Sequence, residues 1–227
     1  MARLYLFAEG QTEQTFADKV LKLHLAQHGV FMQNPMLIAH ARKGRKIHRG
    51  GGRKYLPMKN DILRKLAQEK DADVFFTTMI DLYAIHTQFP GLDEAEKLRH
   101  LPYKRVELLE QRFAQDIGDP RFIPYIQLHE YEAYLFADPT WFEYFYDHHA
   151  NEIAALKALA DDLTPELINA EDAPSKRIIA QFPDYKGAKP LVGPQVAELI
   201  GLDVIRGKCP HFSAWLSRLE QLGAGTQ

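Results

Sequence analysis

Cysteine is nearly missing: Cys209 is the single one in 227 residues. That excludes an internal disulfide framework and any cysteine-based zinc finger, and it fits a reducing compartment. No run of about 18 apolar residues occurs, so no membrane-spanning helix and no membrane partner are expected. The apolar stretch of the opening Met-Ala-Arg-Leu-Tyr-Leu-Phe-Ala-Glu is too short for a signal-peptide core, and Glu9 interrupts it. A soluble cytoplasmic protein is the expectation. Neither sign of charge dominates: 28 Lys and Arg stand against 30 Asp and Glu, a net charge of −2. The balance neither demands nor excludes a nucleic-acid partner, so the distribution of charge decides. Also missing are a Gly-x-Gly-x-x-Gly fingerprint, a Walker-type phosphate loop, a His-Glu-x-x-His zinc helix and a Gly-x-Ser-x-Gly nucleophile elbow. Nucleotide-driven work by this chain alone, zinc-protease chemistry and serine-hydrolase chemistry are therefore disfavoured.

What is present reads as a folded α/β chain. A hydrophobic fraction of 46% and a charged fraction of 26% exclude wholesale disorder. Residues 3–8 predict a buried strand ended by Glu9-Gly10. A helix follows over 12–28, where Phe16, Val20 and Leu23 share a face and Gly29 closes it. Residues 35–41 predict a second strand and 57–69 a helix. The continuous apolar run 73–80 predicts a strand covered on both faces. Helical sequence covers 93–117 with a break near Pro102. Residues 121–128 predict a fourth strand, with Pro124 marking an edge or a bulge. Only helical patterns follow Glu130. Alternating strands and helices predict a parallel sheet of about four strands flanked by helices. The expected units are an α/β catalytic domain over 1–140 and a helical lobe over 141–227 packed on it.

The acids fall at strand ends. Glu9 follows the first strand and Glu13 lies four residues on. Asp81 follows the apolar strand, and Glu130 and Glu132 follow the fourth. Ligands of open α/β sheets bind outside the carboxyl ends of the strands. Carboxylates converging there repel one another unless a cation neutralises them. Hard divalent ions such as Mg²⁺ or Mn²⁺ prefer such oxygen ligands and can promote phosphodiester hydrolysis. Each acid also has a plainer reading, as a helix-start acid, a turn former or part of a solvated helix face. Of the last pair Glu132 is the preferred ligand, with Glu130 second.

A second feature is positive. Arg42, Lys43, Arg45, Lys46, Arg49, Arg53 and Lys54 crowd one segment with Gly44, Gly50, Gly51 and Gly52 and no acid. It reads as a flexible cationic loop, mobile without its partner, that contacts a polyanion, nucleic acid first. His86 and His129 could move protons or bind metal, but a lone histidine is more often structural. The aromatic concentration from Tyr125 to Tyr146 reads as core rather than a base-stacking platform. Lys208, Cys209 and His211 are weaker candidates for substrate contact.

Glu9-Gly10-Gln11-Thr12-Glu13, Asp81 and Glu130-x-Glu132 resemble the Toprim superfamily. Ala-Glu-Gly-Gln-Thr-Glu, Ile-Asp-Leu-Tyr with Phe-Pro-Gly, Gln-Leu-His-Glu-Tyr-Glu-Ala-Tyr-Leu-Phe, Pro-Ser-Lys-Arg-Ile and Cys-Pro-His-Phe-x-x-Trp-Leu are similar to an uncharacterised prokaryotic family, domain of unknown function 4276. That family stands beside nucleases of the overcoming-lysogenization-defect class. The resemblance covers nearly the whole chain. It implies a Toprim-like fold and a Mg²⁺- or Mn²⁺-dependent nuclease acting on DNA or RNA. Glu9 would then bind metal or act as acid/base, with Glu13, Asp81, Glu132 and Glu130 as metal ligands. A downstream lysine, Lys176 or Lys186, would neutralise transition-state charge. It also implies a partner ATPase and a place in anti-phage defence. Tyr83 stands where the second acid of an Asp-x-Asp pair is expected, which puts two-metal occupancy in doubt. Two rivals remain: an inactive Toprim-like module that binds nucleic acid or nucleotide and regulates a partner, and a small-molecule phosphohydrolase or phosphotransferase.

Overall fold

In the computed structural model, which describes residues 1–43, 46–49, 55–85, 87–161, 164–168 and 173–226, the chain opens on β1 (Ala2–Ala8). Leu4, Leu6 and Ala8 of this strand enter one hydrophobic cluster and Phe7 enters another. Period-2 alternation therefore feeds two cores, one on each face. The following helical stretch is α1 (Gln11–Phe16), a π-helical turn (Ala17–Leu21) and α2 (Lys22–Gln27). Gly29 ends it at φ 74°, a left-handed conformation that glycine adopts without a Cβ clash.

Next come β2 (Val30–Met32) and β3 (Met36–Leu37), which pair in succession along one side of β1. The second strand thus starts earlier than the predicted 35–41 and is broken around Pro35, which has no N–H to donate. Residues beyond it leave the sheet as β4 (Ala39–Lys43), antiparallel to β5 (Lys46–Arg49). The basic segment expected as a flexible loop is therefore in part a two-stranded ribbon. Such a ribbon satisfies its backbone groups by local pairing, so it forms without needing an apolar face to bury. Arg42, Lys43, Lys46 and Arg49 lie on it. Arg45, Arg53, Lys54 and His86 lie outside the described residues.

Helix α3 (Tyr55–Gln68) leads to β6 (Val74–Asp81), which holds the continuous apolar run. Then come α4 (Leu92–Glu96) and α5 (Pro102–Ile117), with proline at the first turn of α5, where no N–H is needed. The fourth strand is split into β7 (Phe122–Ile123) and β8 (Ile126–Gln127), both paired with β6. Across the break at Pro124, Thr78 replaces the ladder. Its Oγ1 accepts from the Tyr125 N–H at 2.9 Å and donates to the Tyr125 carbonyl at 3.0 Å.

The result is an α/β fold whose parallel sheet of six strand segments runs in four lanes: β2/β3, β1, β6 and β7/β8. Beyond β8 the chain forms 3-10 turns (Tyr131–Ala137 and Pro139–Tyr144), then α6 (Ala150–Asp161), α7 (Pro174–Gln181), α8 (Tyr185–Ile200), α9 (Leu202–Lys208) and α10 (Pro210–Glu220). One core joins β1, α1 and these C-terminal helices; the other joins β6, α3 and α5. The hydrophobic cluster is continuous across the expected boundary at 140–141, with Tyr134, Phe136 and Phe142 in one core. Much of the Tyr125–Tyr146 aromatic concentration is indeed core, although Tyr144 is exposed. Trp215 of α10 ties this layer to the sheet. It stacks on Tyr125 at 4.2 Å and donates its indole N–H to Thr77 Oγ1 at 2.9 Å. Among the described residues, no helix is long and apolar enough to cross a membrane.

Candidate metal centre

The five acids arrive by four routes. Glu9 is the first residue past β1, and its backbone N–H still bonds to Met79 of β6 at 3.0 Å. Glu13 sits in the first turn of α1. Asp81 ends β6 and, by alternation, shares a face with Thr77 and Met79. Glu130 and Glu132 follow a sharp bend after β8, in which His129 adopts φ 66°. A left-handed non-glycine residue costs about 1 kcal/mol or more. Here it turns the chain from the edge lane back toward β6, so that Glu130 caps a 3-10 turn and Glu132 lies within it.

None of the five is more than 7% exposed. Isolated carboxylates at this depth are costly, so each must find a donor or give up its charge. Some donors are visible. Glu9 Oε2 accepts from the Asp81 backbone N–H at 2.8 Å, which locks two strand ends together. Glu13 Oε2 accepts from the Gly10 N–H at 2.8 Å, so its carboxylate caps the start of its own helix. Glu130 is held by Ser175 at the start of α7, through the backbone N–H and, at 3.0 Å, the hydroxyl. Glu132 pairs with Lys189 Nζ at 3.1 Å and lies 3.5 Å from the Tyr185 hydroxyl, both on α8.

Asp81 is the exception. Its Oδ1 is fully buried and takes no hydrogen bond among the described residues. Burial, followed by the charges of Glu9, Glu13, Glu132 and Glu130, holds its carboxyl well above the usual range. Burial is also the main cause that lifts Glu132 to about 7, against the pull of Lys189 and with a further push from Glu130 and Glu13. Glu13 is raised for the same first reason, partly offset by backbone hydrogen bonds and by Lys189. The five acids thus feel one another's charge around one oxygen without a partner. Hard oxygen donors and an orphaned buried carboxylate oxygen fit a divalent ion of the Mg²⁺ or Mn²⁺ type. No three of these acids bring their oxygens within 4.8 Å of one another. That spacing suits an ion that keeps part of its water shell better than one caged by protein alone.

The other sequence candidates separate. Lys176 and Lys186 are exposed on α7 and α8 and form no ion pair with these acids among the described residues. Lys189, one turn after Lys186, is the lysine in contact, and sequence reasoning missed it. Ser175, neighbour of Lys176, and Tyr185 were missed too. No spacing rule marks them, because they reach the acids only through the docking of α7 and α8. Tyr83, in the place of a second aspartate, is 61% exposed on the turn after β6. Partial desolvation, then the charges of Asp81, Glu9, Glu130 and Glu132, pushes its hydroxyl far up. His129 is half-buried, and burial lowers its proton affinity. Cys209 is buried, with its thiol pushed up by desolvation, which disfavours a nucleophilic role. His211 pairs with Glu110 at 3.0 Å and Lys208 is exposed.

No curated protein matches the chain. Among solved structures, it is similar to the C-terminal region of the OLD protein of Xanthomonas campestris pv. campestris. The identity is 16% and the TM-score 0.44, over 99% of this chain and 97% of that one. Residues 8–220 match the family model described as Domain of unknown function (DUF4276), so the chain belongs to that family.

Proposed function

We propose that this chain is a Toprim-like, metal-dependent nuclease that hydrolyses phosphodiester bonds of DNA or RNA. The observation that supports the reading is that four buried glutamates from three other segments act by their charge on Asp81, whose buried Oδ1 takes no hydrogen bond among the described residues. Glu9, Glu13, Asp81, Glu130 and Glu132 would hold Mg²⁺ or Mn²⁺, which when bound polarises a phosphoryl oxygen and activates water. The chain's own parts do the rest. The Asp81 N–H orients Glu9, Ser175 orients Glu130, and Lys189 supplies fixed positive charge beside Glu132. The ribbon β4–β5, with Arg42, Lys43, Lys46 and Arg49, supplies an electrostatic grip on the substrate backbone. Work beside a partner ATPase in anti-phage defence belongs to the same proposal and rests on the resemblance alone.

The test is cleavage of plasmid DNA, single-stranded DNA and RNA with added Mn²⁺ or Mg²⁺. Asp81→Asn and Glu9→Gln should abolish it while circular dichroism stays native. If both variants cut as fast as the parent, the proposal fails. A second reading, a binding module without catalysis, is favoured by Tyr83 at the second acid position. It requires salt-sensitive binding that survives Glu9→Gln, with no cleavage under either metal.

A further inference from the structure

A different cluster lies where the end of α2 meets the end of α10. His24 is on α2 and His28 caps that helix one turn later, so their rings stand together with centroids 4.8 Å apart. Glu220, the last residue of α10, joins them. His24 Nε2 is 2.7 Å and His28 Nε2 3.9 Å from Glu220 Oε1. One ligand atom from each residue lies within 4.8 Å of the other two. The strand-end acids do not meet that condition.

The backbone fixes this meeting. A Cβ on Gly223 would fall 1.8 Å from the His28 carbonyl oxygen, so the chain after α10 is pressed against the end of α2. Arg206 holds the carboxylate from behind, Nη1 to Oε1 at 2.9 Å and Nη2 to Oε2 at 3.2 Å, while Nη2 also bonds Ser217 Oγ at 2.7 Å. Such an outer partner orients a ligating carboxylate.

We propose that His24, His28 and Glu220 form a second metal site, for a divalent ion of the zinc class, that pins α10 to the end of α2. The donor set selects the ion: two imidazoles and one carboxylate suit zinc or cobalt, whereas magnesium prefers oxygen alone. Metal–ligand lengths of about 2.0–2.1 Å place tetrahedral ligand atoms roughly 3.3 Å apart, so the three atoms need only small side-chain movements. His24 would exchange its hydrogen bond to Glu220 for the ion, and the half-exposed edge of His28 leaves the fourth position to water. The site is independent of the strand-end acids and of the reaction proposed for them.

The test uses full-length protein stripped of metal and carrying Asp81→Asn, which weakens the strand-end centre. Calorimetry should show one saturable equivalent of Zn²⁺, and Co²⁺ should give the visible absorption of a tetrahedral site. Zinc in large excess over its dissociation constant should raise the melting temperature by on the order of 5 °C. His28→Ala, at an exposed position that leaves the fold intact, should cost at least tenfold in zinc affinity and remove the cobalt spectrum. His24→Asn should do the same. Absence of saturable zinc binding would mean that the three residues are an ion pair held by Arg206, and the proposal falls. Binding unchanged in both histidine variants, or lost through Asp81→Asn alone, overturns it as well.

Discussion

Replacing Glu132 by Gln in chelator-treated protein removes one charge from the acid cluster with little change of shape. In the folded chain Glu132 holds its proton more tightly than an ordinary glutamate, with its value lifted from 4.5 to about 7. The folded state therefore binds more protons than the unfolded state between these pH values. Its contribution to stability is fully present below about pH 4.5 and is lost as pH rises through 7. Each tenfold change in proton affinity is worth about 1.4 kcal/mol, so ionising Glu132 costs about 3 kcal/mol by pH 8. Asp81 and Glu13, raised by the same burial, add to the slope. Urea unfolding of the parent in chelator should thus show stability falling from pH 4.5 to 8. Glu132→Gln should stay within about 1 kcal/mol of the parent at pH 4.5 and exceed it by up to about 3 kcal/mol at pH 8. The gain is reduced to the extent that Lys189, left without its carboxylate, is poorly solvated. Saturating Mn²⁺ should shrink the difference, since the ion replaces the missing proton as the neutralising charge. A parent profile that is flat or rises between pH 4.5 and 7, or an equal slope in Glu132→Gln, would falsify the account of these acids.

Lys189→Gln should lower metal-dependent cleavage by about 10²-fold or more, as removal of one positioned electrostatic group does, while Lys176→Gln and Lys186→Gln stay near the parent; side-by-side kinetics decide. Neutralising Arg42, Lys43, Lys46 and Arg49 together should weaken nucleic-acid binding and flatten its salt dependence, by about 0.9 in log–log slope for each duplex phosphate that the ribbon no longer neutralises. A salt titration by fluorescence anisotropy measures this, and an unchanged slope removes the ribbon from the interface. Gly193→Ala would set a Cβ 2.9 Å from the Tyr185 hydroxyl and 3.3 Å from Tyr131. It should cost about 1–3 kcal/mol and disturb the approach of Tyr185 to Glu132, read as a lower melting temperature together with slower cleavage. Trp215→Phe should destabilise the fold by about 1–3 kcal/mol, because Thr77 Oγ1 is deprived of its indole donor and the stack on Tyr125 shrinks; a stability equal to the parent would show that this tie is dispensable.

The local pattern along the chain was enough to order the elements and to put Glu9, Asp81 and the Glu130/Glu132 pair at strand ends. Apolar runs bounded by glycine and acid mark parallel strands, and the carboxyl end of a strand is known once its direction is known. The same reasoning located Pro124 at a break in an edge lane. It misplaced the second strand and read the basic segment as loop, because short edge and ribbon strands lack an apolar signature and form by backbone pairing. What the tertiary structure alone decided is which lysine meets the acids. Lys176, Lys186 and Lys189 are equivalent in sequence, and only the packing of α8 against α1 and the turn after β8 turns Lys189 toward Glu132. The donors that hold Glu130 and Glu132 likewise come from α7 and α8, docked from far along the chain. Burial and like-charge proximity depend on residues far apart in the chain, and no local periodicity encodes them.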